Sequence, residues 1–247
     1  MDESLYHKFY DQEEQHWWFA ARSEIILRVM QLYGNVLPGE AVLDIGCGTG
    51  AILKALSATY DVVGLDTSPL AIEYSRKRGL TNLLQVPVQE FPKERFHIRT
   101  AILLDVIEHI EDDLAVLEAA RRIVEPDGRV IITVPAYMWL WNAHDVANQH
   151  KRRYSKASLK ALIDRAGLEP VKITFYNTLL FPMVAAKKLI DRACGATVSH
   201  LSEGQPNGAL NAALKAIFAS EKYILPSMNL PFGISLLAIA KPQKFPR

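Results

Sequence analysis

Residues 141–154, WNAHDVANQHKRRY, concentrate side chains that can exchange protons, coordinate metals or bind anions. His150 is the candidate general base, because the ordinary pKa of histidine lies near neutral pH. His144 and Asp145 form a second candidate acid–base pair, although adjacent residues point to different faces of a helix or strand. A metal site on these three residues is an alternative, but their spacing matches no established metal-binding pattern, and we predict no bound metal.

The cations and the tyrosine at the end of this stretch are candidate substrate contacts. Arg152 and Arg153 could clamp a phosphate or carboxylate group, and Tyr154 follows them directly. The alternative is that these cations form the solvated start of a helix that Ser155 caps. Binding of nucleic acid is not expected, because 28 Lys and Arg residues against 27 Asp and Glu residues leave a net charge of only +1.

A glycine-rich turn, VLDIGCGTGA (42–51), is the strongest indication of a ligand site. A strand runs into Gly46, Gly48 and Gly50, and a helix follows. The backbone can therefore approach a ligand closely, and the helix N-terminus offers unpaired N–H groups. Asp66 ends the next strand, twenty residues after Gly46, where a carboxylate can accept hydrogen bonds from ribose hydroxyl groups. The combination predicts a nucleotide-containing cofactor.

The spacing of this turn is compatible with two kinds of cofactor. Gly46, Gly48 and Ala51 satisfy the dinucleotide pattern, which keeps NAD as an alternative. Asp44 lies two residues before the first glycine, and a carboxylate is poorly placed beside a pyrophosphate because like charges repel. A carboxylate at this point suits a ligand with a cationic amino group instead.

Strands alternate with helices through the first half of the chain. The predicted strands are AVLDI (41–45), DVVGLD (61–66), NLLQV (82–86), TAILLD (100–105) and RVIITVP (129–135). The predicted helices are TGAILKALSA (49–58), SPLAIEYSRKRG (68–79) and EDDLAVLEAARRIV (111–124). Such alternation indicates βαβ units and a doubly wound α/β fold, whose parallel sheet is covered by helices on both faces.

The flanking segments add helices and two more strands. An amphipathic helix is predicted over 5–33, and a helix over 155–167 precedes a strand over 169–177. Residues 178–231 carry two amphipathic helical stretches, and this segment is too long for an ordinary connection, which indicates an inserted subdomain. A last strand is predicted over 232–241.

Cysteine usage and the lack of targeting patterns indicate a reducing compartment. Cys47 and Cys194 fit neither a disulfide framework nor a zinc-binding spacing. The acidic start of the sequence lacks the pattern of a signal peptide, and the longest apolar runs are too short to cross a bilayer. We expect a cytoplasmic protein that is either monomeric or homodimeric.

Four motifs together resemble those of class I S-adenosylmethionine-dependent methyltransferases. They are DIGCGTG in the glycine turn, GLD at the second strand, LLDVIEHI at the fourth and PDGRVIITVP at the fifth. The sequence is similar to the small-molecule group that includes the ubiquinone and menaquinone methyltransferases, well over residues 40–136 and moderately over 155–177. The resemblance implies S-adenosylmethionine as cofactor and S-adenosylhomocysteine as product. It also implies a Rossmann-like sheet of seven strands, mostly parallel, with an antiparallel last strand.

The resemblance also assigns residues to the cofactor. The glycine turn would hold the methionine moiety, the end of the second strand the ribose, and the stretch after the third strand the adenine. Arg22 would meet the methionine carboxylate. Pro87 stands where family members often have an aspartate, so Gln89 is the substitute expected at the adenine amino group. The expected cofactor residues are Arg22, Asp44, Gly46, Gly48, Gly50, Asp66, Thr67, Val88, Gln89 and Asp105.

The acceptor is expected between the N-terminal helix, which in the family commonly covers the cofactor as a lid, and the stretch after the fifth strand. The expected substrate contacts are Trp17, Trp18, His109, Tyr137, Arg152, Arg153 and Tyr154. Two alternatives stay open. The aromatic residues of the N-terminal helix can form a stripe that packs on the core, and His109 can be a packing residue at a helix start.

These expectations describe a single methyltransferase domain over residues 1–247. Its parts are an N-terminal helical lid (1–36), a cofactor-binding core (37–177), a helical insertion (178–231) and a last strand with a tail (232–247). The stretch at 179–192 sets an apolar face beside Lys187, Lys188 and Arg192, which suits peripheral contact with a membrane. A helix packed on the sheet or at a dimer interface is the alternative.

The predicted function is methyl transfer to a small-molecule or lipid-linked acceptor, most simply at oxygen. Transfer from a sulfonium is an in-line displacement, so that alignment of the reactants supplies much of the rate. Two alternatives are an NAD-dependent oxidoreductase and a protein that keeps the cofactor fold without turnover.

Overall fold

The structure of the chain is a computed structural model that describes residues 3–193 and 206–243. Cys194 and the following residues of the expected insertion, up to 205, lie outside the described residues. No helix among the described residues combines the length and the apolar character needed to cross a bilayer.

Seven strands form one sheet within the described residues, in the order β3-β2-β1-β4-β5-β7-β6. They are β1 (Ala41–Ile45), β2 (Asp61–Leu65), β3 (Leu83–Leu84), β4 (Ile98–Leu104), β5 (Arg129–Pro135), β6 (Leu168–Tyr176) and β7 (Ser235–Pro242). Strands β1 to β5 pair in parallel, and β7 runs antiparallel between β5 and β6. This confirms the predicted mostly parallel sheet with an antiparallel last strand.

The helices lie where the sequence predicts them, except that α6 was not predicted and that the first predicted helix needs a correction. They are α1 (Glu3–Gln12), α2 (Trp17–Tyr33), α3 (Ala51–Leu56), α4 (Pro69–Lys77), α5 (Asp113–Ile123), α6 (Ala143–Ala147), α7 (Lys156–Arg165), α8 (Phe181–Ala193) and α9 (Gly208–Ile224). The prediction of one continuous helix over 5–33 is wrong. The chain turns between α1 and α2, where the His16 side chain accepts a hydrogen bond from Trp18 N and so caps α2.

The central strands are apolar because helices cover both faces of the sheet. Ile102 of β4 and Ile131 and Ile132 of β5 are fully buried, as expected for parallel strands between two helical layers. Helix α9 packs along α2, so that a helix near residue 215 contacts a helix near residue 25. At this contact, Lys222 Nζ donates to Glu24 Oε2 at 2.6 Å.

The fold brings six strand ends to one edge of the sheet, which we call the carboxyl edge. Strands β1 to β5 end there because they are parallel, and β6 ends there because β7 lies between β5 and β6 and pairs antiparallel with both. Asp105, Tyr137 and Asn177 follow β4, β5 and β6, and each has a φ between 56° and 58°. Positive φ is uncommon outside glycine and often accompanies functional sites. The carboxyl edge is therefore the candidate site.

Candidate functional site

The glycine turn after β1 leaves room for a ligand. Gly48 has a φ of +54°, and a Cβ placed there would meet no atom of the described chain within 4 Å. Gly50, with a φ of +83°, immediately precedes α3, and a Cβ there would lie 2.6 Å from Ser75 Oγ. The turn thus packs tightly on α4 at Gly50 and faces open space at Gly48.

Asp66 fixes the shape of this turn from the end of β2. Its carboxylate accepts hydrogen bonds from Gly48 N at 3.0 Å and from Ser68 N at 2.8 Å. Burial raises the pKa of Asp66, while these backbone N–H groups lower it. The carboxylate therefore lies against the turn, at the position where the sequence predicts a contact with ribose.

Asp44 is a buried acid of the glycine-turn region with a raised pKa. It is 3% exposed, at the end of β1. Burial raises its pKa to about 7; Arg22 opposes this shift, whereas Asp66 and Glu13 add to it. A cationic partner would stabilise the ionised form of this buried carboxyl group and lower its pKa.

Four residues, which we call the latch, connect the end of α1 to the glycine turn. They are Tyr10 of α1, Glu13 just after it, Thr49 of the turn and Arg78 at the end of α4. Thr49 Oγ1 donates to the Glu13 carboxylate. Arg78 donates from Nε to Thr49 O at 2.8 Å and from Nη2 to Tyr10 O at 2.9 Å, and its guanidinium lies over the Tyr10 ring. The sequence interpretation missed Glu13 and Arg78, because an acid and a cation 65 positions apart carry no local signal of contact.

Arg22 points from α2 into the space between the cofactor side and the acceptor side. Its Nη2 lies 2.7 Å from Asp105 Oδ2, and both side chains are largely buried. The guanidinium also lies 5.1 Å from the centre of the Trp18 ring, so these residues share a helix face as predicted. Trp17 points elsewhere, and its ring packs edge-on against Phe218 of α9 at 6.1 Å.

The stretch 141–154 folds around Asp145, which is fully buried. Its carboxylate accepts from His150 Nδ1 at 2.9 Å, from Arg153 Nε and Nη2 at 2.8 Å each, and from Asn142 N at 2.8 Å. Burial alone would raise the pKa of Asp145, but the hydrogen bonds from His150 and Arg153 lower it to about 2. Because Asp145 is ionised, Nδ1 of His150 carries the proton and Nε2 is the basic nitrogen.

Glu108 and His109 lie beside His150. The rings of His109 and His150 are perpendicular, with centres 4.6 Å apart. Burial lowers the pKa of His109 to about 4, with a further contribution from His150, so the imidazole is neutral at pH 7. Burial raises the pKa of Glu108 well above its usual range. Glu108 was quoted in the motif LLDVIEHI, but the sequence interpretation gave it no role.

The remaining cations and the tyrosine of this stretch bind other parts of the protein. Arg152 donates to Asp113 Oδ2 at 3.0 Å, and the Tyr154 hydroxyl donates to the same oxygen at 2.7 Å. Arg153 also donates to Ala136 O at 3.1 Å. His144 is exposed on α6, and Asp145 is paired with His150 instead of its neighbour. The stretch is thus a wall of the carboxyl edge that is bonded both within itself and to Asp113 and Ala136.

An aromatic surface lies next to this wall, and we call it the aromatic shelf: Tyr137, Trp139, Phe181 and Phe232. Tyr137 and Trp139 both pack against Phe181, with ring centres 6.0 and 6.1 Å away, and Phe181 packs on Phe232 at 5.3 Å. Trp139 and Phe232 are 45% and 40% exposed. The shelf therefore presents apolar area to solvent beside the site.

The other expected cofactor residues lie at the strand ends with mixed exposure. Thr67, after β2, is exposed. Beyond β3, Val88 is buried and Gln89 is exposed.

Comparison with known proteins identifies the family. A family model described as a methyltransferase domain matches residues 12–173, which is more than half of the chain. The chain belongs to the class I S-adenosylmethionine-dependent methyltransferases. The matched segment is the methyltransferase domain of that family, and S-adenosylmethionine is the cofactor that the family uses.

Curated relatives of this methyltransferase match part of their length. The ubiquinone biosynthesis O-methyltransferase of Actinobacillus pleuropneumoniae serotype 5b (strain L20) is 29% identical over 130 residues, which is 45% of this chain and 55% of the relative. An uncharacterized 37.1 kDa protein in transposon TN4556 of Streptomyces fradiae is 36% identical over 107 residues, 40% of this chain and 31% of the relative. The chain thus spans 31% and 55% of the length of these two relatives.

Solved structures share the fold over nearly the whole chain. The methyltransferase in complex with the Trm112 activator of Haloferax volcanii covers 99% of this chain and 96% of its own, with a TM-score of 0.62 and 18% identity. The plantazolicin methyltransferase BpumL in complex with S-adenosylhomocysteine covers 98% and 90%, with a TM-score of 0.61 and 15% identity. At these identities the likeness concerns the fold alone.

The side chains of this methyltransferase fit its cofactor chemically. S-Adenosylmethionine carries a cationic amino group and a sulfonium, and the pocket offers the buried carboxyl of Asp44, which gains from a cationic partner. The open space at Gly48 allows close approach of a ligand to the backbone.

Proposed function

We propose that this methyltransferase transfers the methyl group to an oxygen atom of a small-molecule or lipid-linked acceptor. The proposal is carried by one observation: Arg153 connects the Asp145–His150 pair to the exposed aromatic shelf at the carboxyl edge, since it donates to Asp145 and to the backbone carbonyl of Ala136, which precedes Tyr137 of the shelf. The pair provides a base for a hydroxyl proton, and the shelf provides apolar area for an amphiphilic molecule. The name of the curated Actinobacillus relative, an O-methyltransferase, supports the choice of oxygen.

On the cofactor side, we assign the residues as follows. The carboxylate of Asp44 binds the amino group, Arg22 binds the methionine carboxylate and Asp66 binds the ribose hydroxyls. Val88 and Gln89 line the adenine, and the N-terminal helix covers the turn as a lid. S-Adenosylmethionine supplies an electrophilic methyl group on a positively charged sulfur. The protein's task is to hold that group in line with the acceptor oxygen, which supplies much of the rate of such a displacement.

On the acceptor side, we assign His150 as the general base. A hydroxyl oxygen is a weak nucleophile until its proton is removed, and a positioned base typically contributes about 10²- to 10⁴-fold in rate. Asp145 holds the imidazole so that Nε2 accepts the proton, and Arg153 keeps Asp145 ionised. We assign Arg153 this supporting role, and Arg152 and Tyr154 an anchoring role through Asp113, since their donors are used within the protein.

The insertion favours an amphiphilic acceptor presented at a lipid surface. Leu179, Met183, Leu189 and Ile190 are between 48% and 62% exposed along the stretch 179–192. Lys188 donates to Trp141 O at 2.6 Å and thereby joins α8 to the wall of the site. Exposed apolar side chains beside cations are typical of helices that lie on anionic membranes.

The experiment that tests this proposal uses S-adenosylmethionine with a labelled methyl group and fractions of a lipid extract as acceptors. We expect label in an amphiphilic fraction, and the NMR shift of the new methyl group identifies it as bonded to oxygen. A methyl group bonded to nitrogen or carbon contradicts the assignment of His150 as a hydroxyl base. If S-adenosylhomocysteine binds but no fraction is labelled, the acceptor class is wrong.

A further inference from the structure

Glu108 differs from the two acids that flank it on the acceptor side. Asp105 is paired with Arg22, and Asp145 is paired with Arg153. Glu108 is fully buried, and neither of its carboxylate oxygens has a hydrogen-bond partner within 3–193 or 206–243. A buried polar group without a partner is costly, and native structures rarely contain one without a role. Its oxygens therefore point to a ligand.

Two imidazoles complete a cluster around these oxygens. Ligand-capable atoms of Glu108, His109 and His150 all lie within 4.8 Å of one another. In a tetrahedral site with bonds of about 2.1 Å, neighbouring ligand atoms are about 3.4 Å apart. Side-chain shifts of about 1 Å therefore suffice to close this cluster around one cation.

The surrounding hydrogen bonds orient both imidazoles for coordination. His150 donates from Nδ1 to Asp145, which leaves the lone pair of Nε2 for a ligand. The His109 ring is hydrogen-bonded to the backbone carbonyl of Asn148. Metal-binding histidines almost always donate their second ring N–H to a carboxylate or a backbone carbonyl. Lys151 N donates to Glu108 O at 2.7 Å and holds the two segments together.

We propose that Glu108, His109 and His150 form a binding site for a divalent transition-metal cation, with Zn²⁺ as the best match. Two imidazole nitrogens and one carboxylate oxygen suit Zn²⁺, whereas Mg²⁺ and Ca²⁺ prefer oxygen ligands alone. Three protein ligands leave the fourth position of a tetrahedral cation free for water or another ligand.

This site goes beyond the methyl transfer proposed above and is measured separately from it. Nε2 of His150 serves either as a base or as a ligand, so cation occupancy and base action exclude each other. Cation binding therefore needs a test that does not depend on turnover.

The test uses the untagged full-length chain, freed of metal with a chelator and titrated with Zn²⁺ in competition with a fluorescent chelator. We expect one Zn²⁺ per chain. Co²⁺ is the spectroscopic probe, because a site with four or five ligands gives intense visible absorption. Absence of stoichiometric Zn²⁺ binding overturns the proposal.

Variants place the cation on the proposed ligands. Glu108→Gln keeps the shape of the side chain and is expected to weaken Zn²⁺ binding by at least about 100-fold, more than loss of an outer hydrogen bond would. His109→Ala is a second variant at a less buried position, in case Glu108→Gln does not fold.

His97→Ala, which removes an exposed histidine remote from the cluster in sequence, is the matched control and keeps wild-type affinity. Unchanged binding by folded Glu108→Gln overturns the proposal. If the chain transfers methyl groups but binds no Zn²⁺, the cation site is wrong and the proposed methyl transfer stands.

Discussion

Asp44 and Asp145 show how the surroundings of a carboxyl group decide its use. Both are buried, but Asp145 accepts hydrogen bonds from an arginine and a histidine, and its pKa falls to about 2. Asp44 has no such partners in direct contact among the described residues, and its pKa rises to about 7. Asp145 is therefore a fixed negative charge that supports His150, whereas Asp44 becomes charged when a cation arrives.

The raised pKa of Asp44 predicts a pH-dependent affinity for the cofactor. Below pH 7 the free enzyme carries Asp44 mainly as a neutral acid, and binding a cationic amino group then requires loss of that proton. We expect S-adenosylhomocysteine to bind about tenfold more tightly at pH 8 than at pH 6, because one proton is linked to binding below the pKa. Isothermal titration calorimetry at several pH values measures this.

Asp44→Asn is the control for this dependence. It cannot change its charge, so the affinity should be weaker and nearly flat between pH 6 and pH 8. An equally steep pH dependence in Asp44→Asn would show that a different group titrates.

His150→Ala is predicted to lower the rate of methyl transfer without weakening cofactor binding. The base lies on the acceptor side, and its loss should reduce kcat by about 10²-fold or more. The dissociation constant of S-adenosylhomocysteine should stay within a factor of about two, since the assigned cofactor contacts are intact. His97→Ala is the matched control and should keep wild-type kcat. A His150→Ala enzyme with unchanged kcat would remove His150 as the base.

At this scale the sequence predicted the residues better than their pairs. Asp44, Asp66, Asp105 and His150 all lie at the carboxyl edge, because strand ends are readable from apolar runs that stop at polar residues. The pairing of Asp145 with His150 was not predicted. It depends on a turn at Gln149 with a φ of +56°, which periodicity does not reveal.

Among the elements, α1 contacts the glycine turn through the latch, and we propose that it controls access to this turn. The Arg78 side chain is 6% exposed and contacts both α1 and the turn. Charge-assisted hydrogen bonds contribute about 1.5–3 kcal/mol each, so Arg78→Ala should make opening of α1 at least about tenfold more frequent. We expect S-adenosylhomocysteine to dissociate faster by about that factor, as measured by stopped-flow tryptophan fluorescence.

Lys77→Ala is the matched control for the latch. Lys77 neighbours Arg78 but is half exposed and pairs with Glu73 on its own helix. Its loss should leave the dissociation rate unchanged. Equal dissociation rates for Arg78→Ala and the wild-type chain would contradict the role of α1 as a lid.

Helix α8 is predicted to bind anionic vesicles through its apolar residues. Leu189 and Ile190 are each 62% exposed, and replacing both with Glu adds charges that a negatively charged surface repels. We expect the double variant to lose most of the vesicle-bound fraction in co-sedimentation.

Leu210→Glu supplies the control for added charge, because Leu210 is half exposed on α9. It should bind vesicles as the wild-type chain does. Wild-type co-sedimentation of the α8 double variant would count against membrane contact through 179–192.

Element boundaries followed the local sequence except where side-chain capping or long-range packing decides them. The cap at Ser155 was predicted and is confirmed, since Ser155 Oγ accepts a hydrogen bond from Ser158 N; Ser68 Oγ caps α4 in the same way, by accepting from Ala71 N. The break between α1 and α2 was not predicted, because residues 13–16 include no glycine or proline. There the docking of α2 on α9, through Trp17 N and Asn211 Oδ1, fixes the start of the helix.

For the whole molecule, the alternation of strands and helices predicted the α/β class, and the resemblance predicted the antiparallel last strand. The neighbours of β7 could not be derived from periodicity, since they depend on backbone pairing between residues 59 to 110 positions apart. Long-range contacts also fix α9 at the end of β6, where three backbone N–H groups that follow β6 donate to Glu221 of α9.

The central claim is that the cofactor and His150 meet at the carboxyl edge. A crystal structure of the chain with S-adenosylhomocysteine tests it most directly. We predict that the amino group lies within hydrogen-bond distance of Asp44, that the ribose hydroxyls contact Asp66, and that the sulfur faces His150. A cofactor whose sulfur points away from His150, or which binds outside the glycine turn, would contradict the account.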